Sequence, residues 1–216
     1  MATIVTSDQY VEVDGRLYEI KRQLRQKDGY PFNIARLAAA LQALIEGRFD
    51  AIGGQFPSLT LVGTVVVRPM AKFSAMEFFN LNTKKNAPVA INHLGDNFTE
   101  WFLGKIEEGV GGEVALRYQT LNKGSLDTPI IAALGGETKA EMNLAVIADL
   151  MTKQAHGEEG TLITNGYANI FYVRNVNGVL CAVNVRWYGG GWYVYAYSVS
   201  NPSEWRAGRR VFSRDS

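Results

Sequence analysis

The sequence has very little of the residues from which metal sites and disulfide frameworks are built. Among 216 residues there is one cysteine, Cys181, and there are two histidines, His93 and His156. A single cysteine excludes an intramolecular disulfide, and none of the three residues lies at ligand spacing from another. We therefore expect no metal and no cofactor. We also expect no Cys-His nucleophile, because Cys181 falls in a strand predicted to be core.

Long apolar runs and a strong net charge are also absent. No stretch of about 18 consecutive apolar residues predicts a membrane-spanning helix, and the first residues lack the basic and apolar regions of an export signal. We therefore expect a cytoplasmic protein without membrane contact. The composition, with 47% hydrophobic and 20% charged residues, is that of a globular protein. The formal net charge of +1 argues against a strongly electrostatic partner for the whole chain.

Aromatic residues and positive charge are concentrated in the last quarter of the chain. Residues 161–216 contain six arginines, no lysine and two acidic residues, which leaves an excess of four positive charges. The same segment holds eleven of the 24 aromatic residues and three of the four tryptophans. Aromatic and arginine side chains are therefore expected to share one part of the fold.

This last quarter predicts a three-stranded antiparallel meander. Asn177-Gly178 favours a type I′ turn, which would pair Arg174 with Cys181 and Tyr172 with Val183. Because side chains alternate between the two faces of a sheet, one face is then apolar. The predicted core face consists of Ile170, Tyr172, Val179, Cys181, Val183, Val185 and Trp187.

The second turn of the meander contains Gly189-Gly190-Gly191. A two-residue loop there pairs Trp187 with Trp192 and sets a row of tyrosines on the other face, whereas a longer loop would exchange the faces of the third strand. The predicted row has Tyr193 beside Arg186, Tyr195 beside Asn184 and Tyr197 beside Ala182, with Asn169 and Phe171 nearby.

Upstream patterns predict further helices and strands. They are a hairpin around Asp14-Gly15, a helix capped by Asn33 and closed by Gly47, a buried strand over 59–67, a short helix after Ser74, a helix from Asp96 or Asn97 to about Glu108, a strand over 113–121, and a long helix from Thr138 to about His156. Residues 126–136 are ambiguous.

The fold class is thus α+β, an antiparallel sheet that includes the C-terminal meander and packs with about three to four helices. A boundary at 157–160 would divide residues 1–156 from a C-terminal module, 157–216; the alternative is one continuous domain.

No constellation of residues predicts catalysis. The pairs Glu107-Glu108 and Glu158-Glu159 lie beside glycines without apolar residues around them that would raise a pKa, and they are interpreted as solvated ends. The candidate site is instead a binding surface. Its residues are Arg186, Tyr193, Tyr195, Tyr197, Trp205, Arg206, Arg209 and Arg210.

Three functions remain open for this surface. The first is non-enzymatic binding of a protein partner or self-assembly into a homo-oligomer. The second is binding of single-stranded nucleic acid, because bases stack on exposed aromatic rings beside arginines. The third is an enzyme with a cleft between the helical part and the sheet. Against all three stands a structural use of the tyrosines, since cross-strand aromatic pairs stabilise sheets.

Three strings at the C-terminus carry a resemblance to other sequences. NGYANIFYVR at 165–174, NGVL at 177–180 and RVFSR at 210–214 resemble segments of hypothetical proteins predicted from genomes of uncultivated bacteria. The helical segment at 31–50 is more loosely similar to an upstream part of such proteins. The resemblance implies that the last sixty residues recur as a module after different upstream sequence, and it implies no activity, cofactor or catalytic residue.

Overall fold

The protein divides into two compact units. A computed structural model describes residues 6–25, 34–46, 58–84, 86–109 and 111–215. The first unit is Met1–Pro57 and the second is Ser58–Ser216. The strands that follow Gly157 lie in the same sheet as strands from residues 59–121, within the second unit.

The first unit contributes two helices, α1 (Ser7–Leu24) and α2 (Ile34–Ile45). The predicted helix at α2 is confirmed, while its expected caps at 33 and 47 lie outside the described residues. The predicted hairpin at 14–15 is wrong, because this stretch is the middle of α1. Arg16 pairs with Glu12, and Arg22 pairs with Glu19 at 2.7 Å. Ion pairs one turn apart stabilise a helix. The alternation of apolar residues around Asp14-Gly15 predicted a hairpin because it does not take these ion pairs into account.

The second unit is built on an eight-stranded mixed sheet. Its elements are β1 (Leu59–Val67), β2 (Lys72–Ser74), α3 (Ala75–Phe78), β3 (Ile91–Leu94), α4 (Asp96–Phe102), β4 (Ile106–Glu108), β5 (Val114–Leu121), α5 (Asp127–Ala133), α6 (Glu137–Ala140), β6 (Glu141–Met142), α7 (Leu144–Lys153), β7 (Asn169–Arg174), β8 (Leu180–Tyr188), β9 (Gly191–Ser198) and β10 (Arg210–Arg214). The strand order is β1-β5-β10-β7-β8-β9-β3, with β6 beside β7, while β2 and β4 form a separate pair.

The α+β class and the mostly antiparallel sheet are confirmed. The parallel neighbours are β10 with β7, β3 with β9 and β6 with β7. The described residues contain seven helices, more than the three to four predicted. The additional helices are α1, where a hairpin was predicted, α5, whose segment was ambiguous, and α6, which β6 separates from the rest of the helix predicted from Thr138. α5 and α6 have seven and four residues, too few for a helical period to stand out in sequence.

The sheet buries apolar side chains on both faces. One face joins Phe171, Val183 and Val194 to α7 in the larger core cluster. The opposite face joins Ile170, Tyr172 and Ala182 to the short helices α5 and α6 in a smaller cluster, which includes Ile130 and Ala140. The second layer of helices is short, so part of this second face lies beyond it.

The first meander turn differs from the prediction by one residue. Val173 pairs with Cys181 and Arg174 pairs with Leu180, so β7 is shifted and its two faces are exchanged. Gly178 has φ of +76° and no non-glycine residue has positive φ among the described residues, which excludes a type I′ turn because that turn needs two positive values. The Asn175 carboxamide oxygen instead accepts the backbone N–H groups of Asn177 and Val179, at 2.9 and 3.0 Å. The result is a three-residue loop closed by a glycine.

The exchange of faces changes the predicted core. Phe171 and Val173 join Cys181 and Val183 in the larger cluster, whereas Ile170 and Tyr172 lie on the other face. Val179, predicted as core, is 54% exposed.

The second meander turn is as predicted. Tyr188 pairs with Gly191, so the loop has two residues, Gly189 and Gly190, with φ of +59° and +82°. Trp187 pairs with Trp192, and the three tyrosine pairings follow the predicted register. Two consecutive positive φ values fit a type I′ turn, which two glycines adopt without strain.

Three upstream predictions require correction. The strand at 59–67 exists, but it is an edge strand with Leu61 and Val66 about half exposed, at 46% and 49%. The helix predicted from 96 to 108 ends at Phe102, and β4 follows. The long helix from 138 is interrupted because Glu141 and Met142 pair with β7, so α7 begins only at Leu144.

A buried carboxylate caps the start of α7. Glu107 is 5% exposed, and its two oxygens accept the backbone N–H groups of Leu144 and Ala145 at 3.0 Å each. The capping residue Asn143 forms no side-chain bond of its own. Glu107 is therefore part of the core, which corrects the expectation that it is a solvated end.

Removal of this cap should destabilise the second unit. We expect Glu107→Ala to lower the free energy of unfolding by about 1–3 kcal/mol, because two buried N–H groups lose their acceptors. Urea denaturation followed by circular dichroism measures the change. Glu108→Ala is the matched control, since Glu108 forms only an exposed ion pair with Lys72, and it should cost less than about 0.5 kcal/mol. Equal effects of the two variants would contradict the capping role.

Candidate functional site

A row of half-buried aromatic rings lies on the sheet face that α5 and α6 cover only in part. Tyr193 and Tyr195 are separated by 6.5 Å between ring centroids, and Tyr195 and Tyr197 by 6.4 Å, with the planes within about 20° of parallel. Trp205 continues the row at 5.7 Å from Tyr197, edge-on to it. We call these four residues the aromatic row.

The row is supported at its other end by β3. The His93 ring lies 5.5 Å from Tyr193 and 5.2 Å from Tyr195. A Cβ atom at Gly95 would stand 2.7 Å from the Tyr195 ring, so only glycine leaves room for this tyrosine without a shift. The parallel pairing of β3 with β9 thus brings His93 and Gly95 beside the tyrosines of the row.

Arg186 lies along the same row. Its guanidinium carbon is 5.7 Å from the Tyr193 ring centroid and 5.1 Å from that of Tyr195, within the range of a cation–π contact. Its Nη2 donates to the Tyr195 hydroxyl at 3.2 Å. The Arg186 Nε and the Asn184 Oδ1 atoms are buried without a hydrogen-bond partner in the described chain. Buried polar atoms without a hydrogen-bond partner destabilise a fold. These two belong to residues that lie two positions apart on β8, opposite Tyr195 and Tyr193 on β9.

Two adjoining cavities open along the aromatic row. The larger has a volume of about 350 Å³ and the smaller about 250 Å³. Tyr197, Trp205 and Arg209 line both, so the two cavities adjoin, and together we call them the aromatic groove. The larger cavity is also lined by Asp127, Asn201, Ser203, Glu204 and Arg206. The smaller is also lined by Gly166, Ala168, Asn184, Arg186 and Tyr195.

Trp205 lies in the loop between β9 and β10, and contacts with Ser125 and Asp127 hold it in place. The backbones of Trp205 and Ser125 exchange two hydrogen bonds, at 3.0 and 2.9 Å. The Trp205 indole N–H also donates to Asp127 Oδ1 at 2.8 Å. Arg209 is held by the Tyr167 ring, 4.9 Å from its guanidinium carbon. Residues far apart in sequence therefore fix both walls of the groove.

Asp127 is a buried carboxyl that lines the larger cavity. It is 1% exposed, and its Oδ1 accepts hydrogen bonds from the Tyr172 hydroxyl and the Trp205 indole, both at 2.8 Å. Burial raises the pKa of Asp127, and the two hydrogen bonds offset this only in part. Burial and the neighbouring Asp127 also raise the pKa of Tyr172. A carboxyl with a raised pKa beside a cavity is a feature of functional sites.

The charges of the groove favour an anion at its rim. Arg186, Arg206 and Arg209 contribute three positive charges, against the carboxyl groups of Asp127 and Glu204. Of the two carboxyl groups, only that of Glu204 is exposed. The arginines present forked donors that suit phosphate or carboxylate oxygens.

The structure brings together seven of the eight residues predicted for the site. Six of them line the groove, namely Arg186, Tyr195, Tyr197, Trp205, Arg206 and Arg209, and Tyr193 adjoins it. Arg210 lies on the other face of the sheet, where it donates to the Thr161 carbonyl at 2.5 Å and contacts the Tyr118 ring. Asn169 and Phe171, expected near the tyrosines, also lie on that face, because β7 is shifted by one residue.

Sequence reasoning missed Asp127. Its segment was ambiguous, and no residue near it in sequence indicates that a carboxylate is buried there. The contacts that define its role come from Tyr172 and Trp205, 45 and 78 residues away. An acidic residue in the first turn of a short helix is ordinarily an exposed one, so only the tertiary fold reveals this site.

Other chemistries find little support in the described part of the chain. Within it, no three His, Cys, Asp or Glu residues are grouped so that they could hold a metal ion. No helix in the described ranges is long and apolar enough to cross a membrane. Cys181 is buried, and burial raises the pKa of its thiol, which disfavours the reactive thiolate.

Replacement of Asp127 by asparagine should stabilise the protein at neutral pH. Because the pKa of Asp127 is raised in the folded state, the unfolded chain loses this proton at lower pH than the folded chain does. Stability therefore falls as the pH rises from the unfolded value of about 3.9 through the folded pKa. Asparagine carries no charge, so the melting temperature of Asp127→Asn should exceed that of the wild type at pH 7, and the difference should shrink below about pH 4. Thermal melts across this range measure it, and a difference that does not depend on pH would contradict the assignment.

Comparison of the chain with protein-family models, with curated proteins and with solved structures yields no match.

Proposed function

We propose that the protein is a non-enzymatic binding protein and that its aromatic groove takes single-stranded nucleic acid. The observation that carries the proposal is the joining of two cavities along one row of aromatic rings, with arginines at the rim. Single-stranded nucleic acid is an extended chain in which planar bases alternate with anionic phosphates. The groove offers a surface for each part.

The rings of the aromatic row suit stacking of bases. Tyr195, Tyr197 and Trp205 are half-buried, so each ring is held by the fold and still reached from the groove. Tyr193 and Tyr197 are four positions apart, a span of about 13 Å along the strand. Stacking of one base on an aromatic side chain contributes about 1–3 kcal/mol.

The arginines suit the phosphates. Arg206 is exposed at the rim of the larger cavity, and Arg209 lies between the two cavities. Arg209 is held against Tyr167, which reduces the conformational entropy that it loses on binding. Guanidinium groups bind phosphate oxygens through paired donors.

The lining of the groove favours binding over catalysis. Neither cavity is lined by a histidine, a cysteine or a lysine, the side chains that most often act as bases or nucleophiles near neutral pH. The carboxyl of Asp127 has its hydrogen bonds to Tyr172 and Trp205, which hold the wall in place.

Variants of the groove separate stacking from charge. We expect Tyr195→Leu to weaken binding of a labelled oligonucleotide about 5- to 100-fold, through the lost stacking of about 1–3 kcal/mol, with an unchanged salt dependence. Arg206→Ala should instead reduce the slope of log affinity against log salt by about 0.7, the value for one phosphate contact on a single strand. Fluorescence anisotropy over a series of salt concentrations measures both effects.

Matched controls lie outside the groove. Arg68 forms an exposed ion pair with Glu113 beyond the end of β1, and Tyr18 is 68% exposed in α1. Arg68→Ala and Tyr18→Leu should leave the affinity and the salt slope unchanged. Absence of binding by the wild-type protein at low salt, or equal losses in the control variants, would overturn the proposed function.

Self-association through β1 is a second candidate function. β1 is a nine-residue edge strand, no other strand in the described ranges pairs with its outer side, and Leu61, Val62 and Val66 expose large apolar side chains. Such an edge pairs readily with a second chain. This candidate continues the expectation of a homo-oligomer and requires no contact at the aromatic groove.

A dimer formed through β1 should be broken by charge on this strand. We expect Leu61→Lys/Val66→Lys to convert the protein into a monomer, because lysine on an edge opposes strand pairing. Light scattering coupled to size-exclusion chromatography measures the mass. Met76→Lys, at a position 65% exposed in α3, is the control and should leave the dimer intact. A monomeric wild type would exclude this second candidate.

A further inference from the structure

We propose that Asp127 selects nucleobases that carry an exocyclic amino group, as cytosine does, over bases that present a carbonyl at that position, as thymine and uracil do. This inference rests on the proposed function and assigns the larger cavity as the subsite for one base. It concerns the specificity of the groove, which the stacking rings alone do not provide, because every base has a π-face.

The hydrogen bonds of Asp127 leave one oxygen for a ligand. Tyr172 and Trp205 both donate to Oδ1, at 2.8 Å each. Oδ2 has no hydrogen-bond partner among the described residues, although the residue is only 1% exposed and lines the 350 Å³ cavity. An ionised carboxylate is a pure acceptor with capacity at both oxygens. When the carboxyl group is ionised, this nearly buried oxygen is therefore an acceptor for an N–H group that enters the cavity.

The surroundings of Oδ2 fit a planar base. Trp205 donates to the same carboxylate and also forms the wall of the cavity, and Tyr197 stands edge-on to it at 5.7 Å. A base that stacks on Trp205 or Tyr197 lies in the cavity that Asp127 also lines. Arg206 and Arg209, which line the same cavity, are available to the adjoining phosphate.

The chemistry of the carboxylate then discriminates between bases. The amino group of cytosine donates to an acceptor such as a carboxylate. Thymine and uracil have a carbonyl oxygen at that position, which would face Oδ2 as a second acceptor. A site built around a buried hydrogen bond rejects an analogue that leaves its polar group unpaired.

Two oligonucleotides that differ in this group test the inference. The probes are oligo(dC) and oligo(dT) of about eight nucleotides, within the site sizes known for single-strand binding. We expect the wild-type protein to bind oligo(dC) about tenfold more tightly, the factor that corresponds to one well-placed hydrogen bond. In Asp127→Asn the amide oxygen can keep the bonds from Tyr172 and Trp205 while an NH₂ donor replaces Oδ2. We therefore expect this variant to bind oligo(dT) at least as tightly as oligo(dC).

The matched control is a carboxylate outside the groove. The side chain of Glu108 is exposed and pairs with Lys72, so Glu108→Gln should keep the preference for oligo(dC). A preference for oligo(dC) that is equal in wild type and Asp127→Asn, or is absent from the wild type, overturns the inference and leaves the proposed function standing. Failure of the wild type to bind either probe overturns both.

A second probe tests the inference on the wild-type protein alone. In an oligonucleotide of N4,N4-dimethylcytosine the amino group has no hydrogen to donate, whereas the ring and the phosphates are retained. We expect its affinity to fall to that of oligo(dT) or below. An affinity equal to that of oligo(dC) would show that no N–H group of the base is used, and it would overturn the inference even if Asp127→Asn failed to fold.

Discussion

The alternation of side chains along β8 and β9 is the constraint on which the second unit depends. Each strand serves two surfaces at once, because Val183 and Val194 pack under α7 while Asn184 and Tyr195 point to the opposite side. Loss of one residue from the Gly189-Gly190 loop would exchange these surfaces along β9. The separation of core and groove along β9 therefore depends on the length of the same two-glycine loop.

A single carboxyl group joins the parts of the groove that the sheet does not provide. Asp127 begins α5, accepts a hydrogen bond from Tyr172 on β7 and another from Trp205 in the loop before β10. Helix, sheet and loop thus meet at one oxygen atom. The raised pKa of Asp127 indicates that the fold tolerates an unfavourable burial at this point. Proteins commonly retain such a cost where the group serves a ligand.

Local patterns in the sequence predict much of the sheet and most of the aromatic row. The two-residue version of the glycine turn after Tyr188 predicts the observed register of β8 against β9, and with it the positions of Arg186 and the tyrosines; the longer loop left open by the sequence would have exchanged the faces of β9. The register predicted from the turn at Asn177-Gly178 was wrong by one residue, because a glycine that follows asparagine fits both a two-residue loop and a three-residue loop. The Asn175 side chain decides between them through bonds to Asn177 and Val179. Asp127 and Glu107 could not have been predicted, since the contacts that bury them come from distant segments, whose approach depends on the strand order.

That strand order also determines when the sheet can form. β10 lies between β5 and β7, and Val211, Phe212 and Ser213 are all buried there. The antiparallel pair β1–β5 and the meander β7-β8-β9 have no direct contact in the strand order without it. The two halves of the sheet can therefore join only after residues 210–214 have been synthesised. Without this strand, β5 would have an unpaired inner edge and β7 would keep only its short pairing with β6, and unpaired strand edges are prone to aggregation.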